Sequence, residues 1–362
     1  MFVLEIVLFI AGIVFLIVGA NLLVSGASGL ALRLGISSAV IGLTVVAFGT
    51  GAPELGVGIE AALKNRPEIA LGNVIGSNIV NLLVVLAIAA LVAPVSVSKQ
   101  LIRKDAPAMV AVSLILLVMA LDGSIGRGEG IILLVLFVLY TVWALKRGRR
   151  QTELERETRA ELQEEAGQRR SVPMSLLLLV GGLGLLFQGS LWVVEGAVSL
   201  ARYLGMSELL VGLTIVAIST SLPEIATTVA AGLRKQPDLG VGNVVGSNIF
   251  NILVVLGLAA VLTEGGLTVP EESIRVDIPV MAAAALACVP IFWTGYVISR
   301  LEGLFFLASY GCYTVYVVLN GMESGLLPLF KTVITRVVMP ITAVVVLLLF
   351  VLTWLRSRRN RT

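Results

Sequence analysis

The chain has 362 residues, of which 57% are hydrophobic and only 14% charged, where an ordinary soluble domain carries about 25% charged residues. That balance excludes a soluble enzyme with a polar shell, a disordered chain and a disulfide-stapled one, and the absence of histidine excludes a histidine proton relay, a haem ligand and a histidine zinc site. The net charge of +3 is no nucleic-acid signal, because the basic residues sit between apolar runs, where they orient a membrane protein.

A span needs about 20 apolar residues, so the chain has room for ten or eleven. Apolar runs fall at 2–32, 37–63, 70–92, 106–121, 130–145, 174–203, 208–233, 239–262, 275–294, 300–319 and 337–355. They are continuous rather than alternating, which disfavours an outer-membrane barrel. The first run lacks a basic leader and carries Glu5, so it reads as a retained helix and not a cleaved signal. The exception to the apolar pattern is Lys146 to Ser171, which is rich in Arg and Glu and reads as a solvated charged helix or linker. Cys288 and Cys312 lie in apolar runs and read as packing residues.

These runs divide the chain into a first repeat of five spans (1–145), a charged loop (146–171), a second repeat of five spans (172–320) and a C-terminal segment (321–362). That last segment holds the eleventh span and a basic tail. The positive-inside rule places the charged loop in the cytoplasm, together with Lys99, Arg103, Lys104, Arg234 and Lys235. The loop with Glu264, Glu271 and Glu272 is then external. So is the N-terminus, with the C-terminus cytoplasmic, in a multi-pass protein of the cell (inner) membrane.

Residues 42–92 and 212–262 align at a constant offset of 170 without a gap, and about 25 of 51 positions are identical. The two copies begin five spans apart. Five is odd, so they cross the membrane in opposite senses. Inverted repeats with broken helices are a transporter signature, with the substrate site near the midplane.

Glu54 and Glu224 lie at equivalent depths inside their spans. A charge there costs roughly 2.5–3.5 kcal/mol on insertion scales, and no Lys or Arg in the repeats lies at the same depth. Either the glutamates are protonated, or they meet a cation that is not part of the chain. Each follows a proline, Pro53 or Pro223, which must break the helix. The break should deprive the carbonyls of Gly49 and Ser219 of their donors. Thr50 and Thr220 sit four residues before the glutamates, a spacing that shares one helical face. The next span adds G-N-x-x-G-S-N-I-x-N in both copies. Asn73, Ser77 and Asn81 form one polar stripe and Asn243, Ser247 and Asn251 another, either as ion ligands or as helix–helix glue, the latter also open to Asn78 and Asn248. Gly72, Gly76, Gly242 and Gly246 allow close backbone approach. Carboxylate, hydroxyl, amide and carbonyl oxygens suit hard cations such as Ca²⁺, and Na⁺ could occupy the same cage.

These motifs resemble the alpha repeats of the cation/calcium exchanger superfamily, in its sodium/calcium exchanger branch of prokaryotic type without a regulatory domain. That branch carries G-T-S-x-P-E in both repeats, followed by G-N-x-x-G-S-N. The proton-coupled branch tends to carry G-N-x-x-E around its acid, which this chain lacks. The resemblance implies an all-α polytopic fold of two inverted five-helix repeats, with the first and sixth spans sliding against the other eight, plus an extra C-terminal helix. It also implies residue roles. Glu54 and Glu224 would bind Ca²⁺ with backbone oxygens of Thr50 and Thr220. Na⁺ would be held by the Ala47 carbonyl, Thr50 and Ser77 on one side, and by the Ala217 carbonyl, Thr220, Ser221 and Ser247 on the other. Asn81 and Asn251 would complete the middle. Three positions depart from the pattern: Gly51 stands where the first repeat usually has Ser, Ser219 where the second has Gly, and Asn251 where several members have Asp.

The reading is a Ca²⁺/Na⁺ antiporter working by alternating access. It uses no cofactor, its substrates are Ca²⁺ and Na⁺, it sits in a lipid bilayer, and neither nucleic acid nor an obligate protein partner is implied. The rivals are a Ca²⁺(cation)/H⁺ exchanger with a glutamate as proton carrier, and a non-transporting ion sensor or scaffold. A membrane enzyme is disfavoured, for the polar stripes hold no nucleophile–base pair.

Overall fold

A chain this apolar must close its backbone hydrogen bonds within itself, and it does so in helices. The computed structural model describes residues 2–163, 171–204, 217–293, 295–322, 324–334 and 336. The first half holds α1 (Phe2–Leu34), α2 (Ser38–Thr50), α3 (Ala52–Leu63), α4 (Pro67–Val92), α5 (Leu101–Asp122) and α6 (Arg127–Gln163). The second holds α7 (Val172–Tyr203), α8 (Leu222–Leu233), α9 (Pro237–Leu262), α10 (Ser273–Trp293) and α11 (Arg300–Gly321), followed by α12 (Leu327–Val333).

Among the described residues, eight helices are long and apolar enough to cross a membrane, or nine if the bent pair α2–α3 is one span. Residues 205–216, at the start of the run at 208–233, lie outside the described residues, and α8 is the latter part of that run. The run at 337–355 also lies outside them. The charged segment does not interrupt α6, which continues through Lys146 and Arg150 to Gln163. Lys, Arg, Glu and Gln are good helix formers, so the helix extends past the apolar run.

The helices sort into a centre and a periphery. In their most apolar windows, α4 is 83% and α9 89% buried, against 17% for α6 and 11% for α11. Large apolar side chains such as Ile10, Ile17, Val138, Leu177 and Leu301 remain exposed, as expected of a surface solvated by lipid. Both central helices start the same way. Asn65 (φ 51°) and Lys235 (φ 58°) turn the chain through the left-handed region, and Pro67 and Pro237 open the helices, where a missing N–H costs nothing.

α1 and α7 lie antiparallel along their length. A side chain on Gly12 would meet the Gly189 carbonyl oxygen at 2.8 Å, one on Gly19 the Gly182 oxygen at 2.8 Å, and one on Gly26 the Ser175 oxygen at 2.6 Å. The three contacts recur every seven residues on both helices. Small residues at this spacing let two backbones touch along one seam.

Two pairs of very short strands show the sense of the repeats. β1 (Val95–Ser96) pairs antiparallel with β4 (Val297–Ile298), and β2 (Ser124–Ile125) with β3 (Leu267–Thr268). β1 and β3 occupy equivalent places, each after the central helix of its own repeat. β1 and β2 lie at opposite ends of α5, whose 22 residues span about 33 Å at 1.5 Å per residue. Because β3 pairs with β2 and not beside β1, the equivalent loops lie on opposite faces. The repeats are therefore inverted. A hydrogen bond from the Ser98 amide to Asp238 Oδ1 at 2.9 Å puts the start of α9 on the β1–β4 face as well.

Candidate functional site

The helix breaks come first. α2 and α3 meet at Gly51 with a bend of 48°. The backbone there (φ −80°, ψ 3°) matches that of Ser221 at the equivalent place before α8 (φ −89°, ψ 5°). Pro53 and Pro223 lie in the first turns that follow, and so do Glu54 and Glu224. The last carbonyls of the preceding segments, Ala47–Thr50 and Ala217–Ser219, aim their negative ends toward the breaks, a disposition suited to cations.

Glu54, Glu224, Ser221, Ser247, Asn81 and Asn251 are completely buried, and Thr50, Ser77 and Ala47 nearly so. Thr220 is half-buried. Nothing is described of the Ala217 side chain, although its backbone lies in the turn before the second break.

The two repeats meet crosswise. The Glu54 carboxylate faces Ser77 of its own repeat and Thr220 of the other, and it is close enough to Glu224 for the two acids to repel. Glu224 faces Ser247 of its own repeat and Thr50 of the other. The Ser77 and Thr220 hydroxyls are 3.3 Å apart, and Ser247 donates to Glu224 Oε1 at 3.4 Å. The shared face expected of Thr50 and Glu54, and of Thr220 and Glu224, is therefore not what forms. That spacing holds only on a continuous helix, and the break turns each threonine toward the other repeat's acid. Ser77 likewise groups with Thr220 and not with Thr50.

The asparagines divide by role. Asn73 donates to the Glu54 carbonyl at 3.1 Å and ties the break to α4. Asn243 accepts from Thr50 Oγ1 at 3.1 Å. Asn78 joins the central helices, donating to the Asn248 carbonyl at 3.3 Å and accepting from Asn251 Nδ2 at 3.1 Å. Asn81 and Asn251 each open a π-helical segment, Asn81–Val85 and Asn251–Leu256, a distortion common at functional positions.

Six buried oxygens here have no hydrogen-bond partner among the described residues: both of Glu54, Oε2 of Glu224, Oδ1 of Asn81, Oδ1 of Asn251 and Oγ of Ser221. Leaving such groups unpaired is costly, and two carboxylates in one apolar pocket require positive charge between them. Among the described residues no third acidic or cysteine side chain joins them in a group that could hold a metal ion, so the acids here supply at most two negative charges. Six oxygens match the lower end of the 6–8 that Ca²⁺ takes, so the donor set fits a hard cation as cargo.

Gly242 and Gly246 behave as their spacing predicts. Side chains there would meet the Ala39 and Leu43 carbonyl oxygens at 2.6 Å, so α9 lies directly against α2. The segment that would face Gly72 and Gly76 by symmetry, 205–216, lies outside the described residues. A cavity of about 860 Å³ reaches the first break between α2, α6 and α7, lined by Thr44, Phe48, Thr50, Thr141 and Leu183 among others.

Sequence reasoning missed Thr227 and Thr228, one turn beyond Glu224 and buried with no partner for their hydroxyls among the described residues. Their counterparts are Val57 and Gly58, so the repeat comparison did not single them out. It also missed Asp105, fully buried and paired with Arg147 at 2.6 Å, because an acid next to Lys104 reads as part of a solvated loop.

Comparisons with known proteins agree with this geometry. The family described as sodium/calcium exchanger protein matches residues 4–146 and 174–319. The chain is 40% identical to the putative antiporter CaxA of Alkalimonas amylolytica over 262 residues, 72% of this chain and 81% of that one. It is 28% identical to the sodium/calcium exchanger MaX1 of Methanosarcina acetivorans over 347 residues, 87% of this chain and 99% of that one. Among solved structures it superposes on the sodium-calcium exchanger NCX_Mj with a TM-score of 0.72 and 30% identity, covering 86% of this chain and 97% of that one.

Proposed function

The chain belongs to the sodium/calcium exchanger protein family, and from that premise we propose that it is a secondary antiporter exchanging Ca²⁺ for Na⁺ at the paired helix breaks. One observation carries the reading. Two buried glutamates from inverted repeats face each other, with unpartnered oxygens around them and no basic side chain hydrogen-bonded to either among the described residues. The names of MaX1 and NCX_Mj support the same pair of ions.

Glu54 and Glu224 hold Ca²⁺ between them, with Asn81 and Asn251 supplying amide oxygens. Thr50, Thr220, Ser77, Ser247 and Ser221, with the carbonyls of Ala47 and Ala217, hold Na⁺ beside the same carboxylates. The charge of two on the acids is balanced by one Ca²⁺ or by Na⁺ ions, so each cargo displaces the other. Alternating access follows from the pseudo-symmetry, because inverted halves can exchange conformations and open the site to either face. The α1–α7 seam, where Gly12, Gly19 and Gly26 bring the two backbones together, is the pair that slides.

The β1–β4 face carries Lys99, Arg103, Lys104, Arg234 and Lys235, and the β2–β3 face carries Glu264, Glu271 and Glu272. The first face is cytoplasmic and the N-terminus external, in the cell (inner) membrane of a prokaryotic cell.

The test is Ca²⁺ flux in proteoliposomes under separate Na⁺, K⁺ and pH gradients. An outward Na⁺ gradient should drive Ca²⁺ uptake. Uptake driven by a pH gradient alone would replace Na⁺ by H⁺ as the coupling ion. Ca²⁺ binding without flux under any gradient would leave a sensor.

A further inference from the structure

The α1–α7 pair is clasped on one face of the protein and not on the other. Asn21, Ser25 and Ser28 make a polar stripe on α1, and the turn between α8 and α9 grips it. Arg234, which caps α8, donates from Nε to Asn21 Oδ1 at 2.7 Å and from Nη1 to Ser25 Oγ, and Gln236 accepts from Ser28. Beside these contacts, Ala226, Ala230 and Ala231 of α8 pack with Leu23, Val24 and Ala27 of α1. That turn lies on the β1–β4 face.

The offset of 170 that relates the repeats also relates the two seam helices, because Gly12, Gly19 and Gly26 fall on Gly182, Gly189 and Gly196. The counterparts of Arg234 and Ser25 are then Lys64, in the turn between α3 and α4, and Glu195, on α7. The equivalent contact would be an ion pair, and it is not made. Lys64 binds Glu60 of its own helix at 2.5 Å on the surface. Glu195 is exposed, with no hydrogen-bond or ion-pair partner among the described residues. The flank of α3 is uncovered too: a side chain on Gly56 would meet nothing within 4 Å, whereas its counterpart Ala226 packs against the cluster on α1. Glu195 lies about 12 Å from the Tyr203 end of α7 at 1.5 Å per residue, a depth at which a lone carboxylate faces a water-filled path or awaits a cation.

We propose that Lys64 and Glu195 form an ion pair when α7 closes over α3, and that the Arg234–Gln236 clasp lets go of α1 in the same movement. The pairing rests on the sliding seam proposed above and goes beyond it, to the residues that hold the seam at each end of its travel. The clasps are alternatives, because α1 and α7 touch backbone to backbone and move as one: drawing α7 onto α3 draws α1 off α8. In the arrangement described here α1 covers the flank of α8, and the flank of α3 stays open toward the β2–β3 face. When that opening closes, water leaves the Glu195 carboxylate, and a cation must replace it. Lys64 is the cation that the pseudo-symmetry delivers, and the exposed pair it leaves behind with Glu60 is a weak competitor.

The experiment is cross-linking of the full chain in proteoliposomes of one orientation, after replacement of Cys288 and Cys312. The variants Ser25→Cys/Arg234→Cys and Lys64→Cys/Glu195→Cys are treated with a short bifunctional thiol reagent that a reductant removes. Both should cross-link, each link should stop Ca²⁺ flux, and reduction should restore it. Radiolabelled Ca²⁺ should reach the site of the first linked variant only from the β2–β3 side, and that of the second only from the β1–β4 side. Failure of the second variant to cross-link where the first does, flux retained after its linking, or access left on the β2–β3 side would each overturn the proposal. Charge reversal checks the pairing without a link. Lys64→Glu and Glu195→Lys should each lower flux several-fold, and Lys64→Glu/Glu195→Lys should recover most of it; a folded double variant no better than the single ones would also overturn the pairing. The exchange reading fails separately, if the wild type shows no Na⁺-driven flux, and the links are then scored by the side of Ca²⁺ access alone.

Discussion

Replacing Glu54 by Gln removes one of two negative charges from a fully buried site while keeping size and a hydrogen-bonding head. A unit charge about 4 Å away is worth about 4 kcal/mol at an effective dielectric constant of 20. Ca²⁺ carries twice the charge of Na⁺, so it loses about 8 kcal/mol of attraction where each Na⁺ loses about 4. The energy of burying the carboxylate itself is recovered equally for both ions. The difference of about 4 kcal/mol is roughly a thousand-fold, at 1.4 kcal/mol per decade, and it should appear as selectivity. Calorimetric titration of the purified Glu54→Gln variant should show Ca²⁺ affinity falling about a thousand-fold more than Na⁺ affinity, and Na⁺-driven Ca²⁺ uptake in vesicles should be abolished. Glu224→Gln should behave alike, because the two acids share one pocket. Wild-type Ca²⁺ flux in either variant, or an equal loss for both ions, would refute the assignment of these acids as the shared ligands.

Three further outcomes test other parts of the structure. Gly19→Val places a Cβ 2.8 Å from the Gly182 carbonyl oxygen and overpacks the α1–α7 seam by about 1–3 kcal/mol; flux should fall several-fold while Ca²⁺ affinity stays unchanged, and unchanged flux would show that the seam does not move. Arg147→Ala strips the charged partner from the buried Asp105, leaving it the Tyr140 hydroxyl, and should destabilise by about 3–5 kcal/mol, read as a lower melting temperature, with partial recovery in the Arg147→Met/Asp105→Asn double variant. After replacement of Cys288 and Cys312, an impermeant maleimide applied to intact cells should label Ser124→Cys on the β2–β3 face, and Ser96→Cys on the β1–β4 face only after permeabilisation. The reverse pattern would invert the assigned orientation.

Much of this was legible in the sequence because it is encoded locally. The scarcity of charge, the length of the apolar runs and the placement of Lys and Arg dictate a helical membrane protein. The ungapped repeat at an offset of 170 and the count of spans between its copies gave the inversion, which the pairing of β1 with β4 and β2 with β3 shows independently. Glu54 and Glu224 stood out because an acid at that depth has few bland explanations, and Pro53 and Pro223 forecast the breaks.

What only the tertiary structure decided is which repeat each side chain serves. Periodicity placed Thr50 beside Glu54, but a helix bent by 48° no longer obeys a four-residue spacing, and Thr50 faces Glu224 across the repeat boundary. Asn78 and Asn81 lie three residues apart, yet Asn78 bonds across to Asn248 and Asn251 while both polar atoms of Asn81 have no partner among the described residues. Gly51 reads in the sequence as a missing hydroxyl, and in the fold as a position where a Cβ would meet both the Ala47 carbonyl oxygen and the Phe250 ring. Composition and period act within one helix and can be read along the chain. Ligand sets and steric exclusion act between residues such as Ser77 and Thr220 or Thr50 and Asn243, 143 and 193 positions apart in the sequence, and only packing brings those into contact.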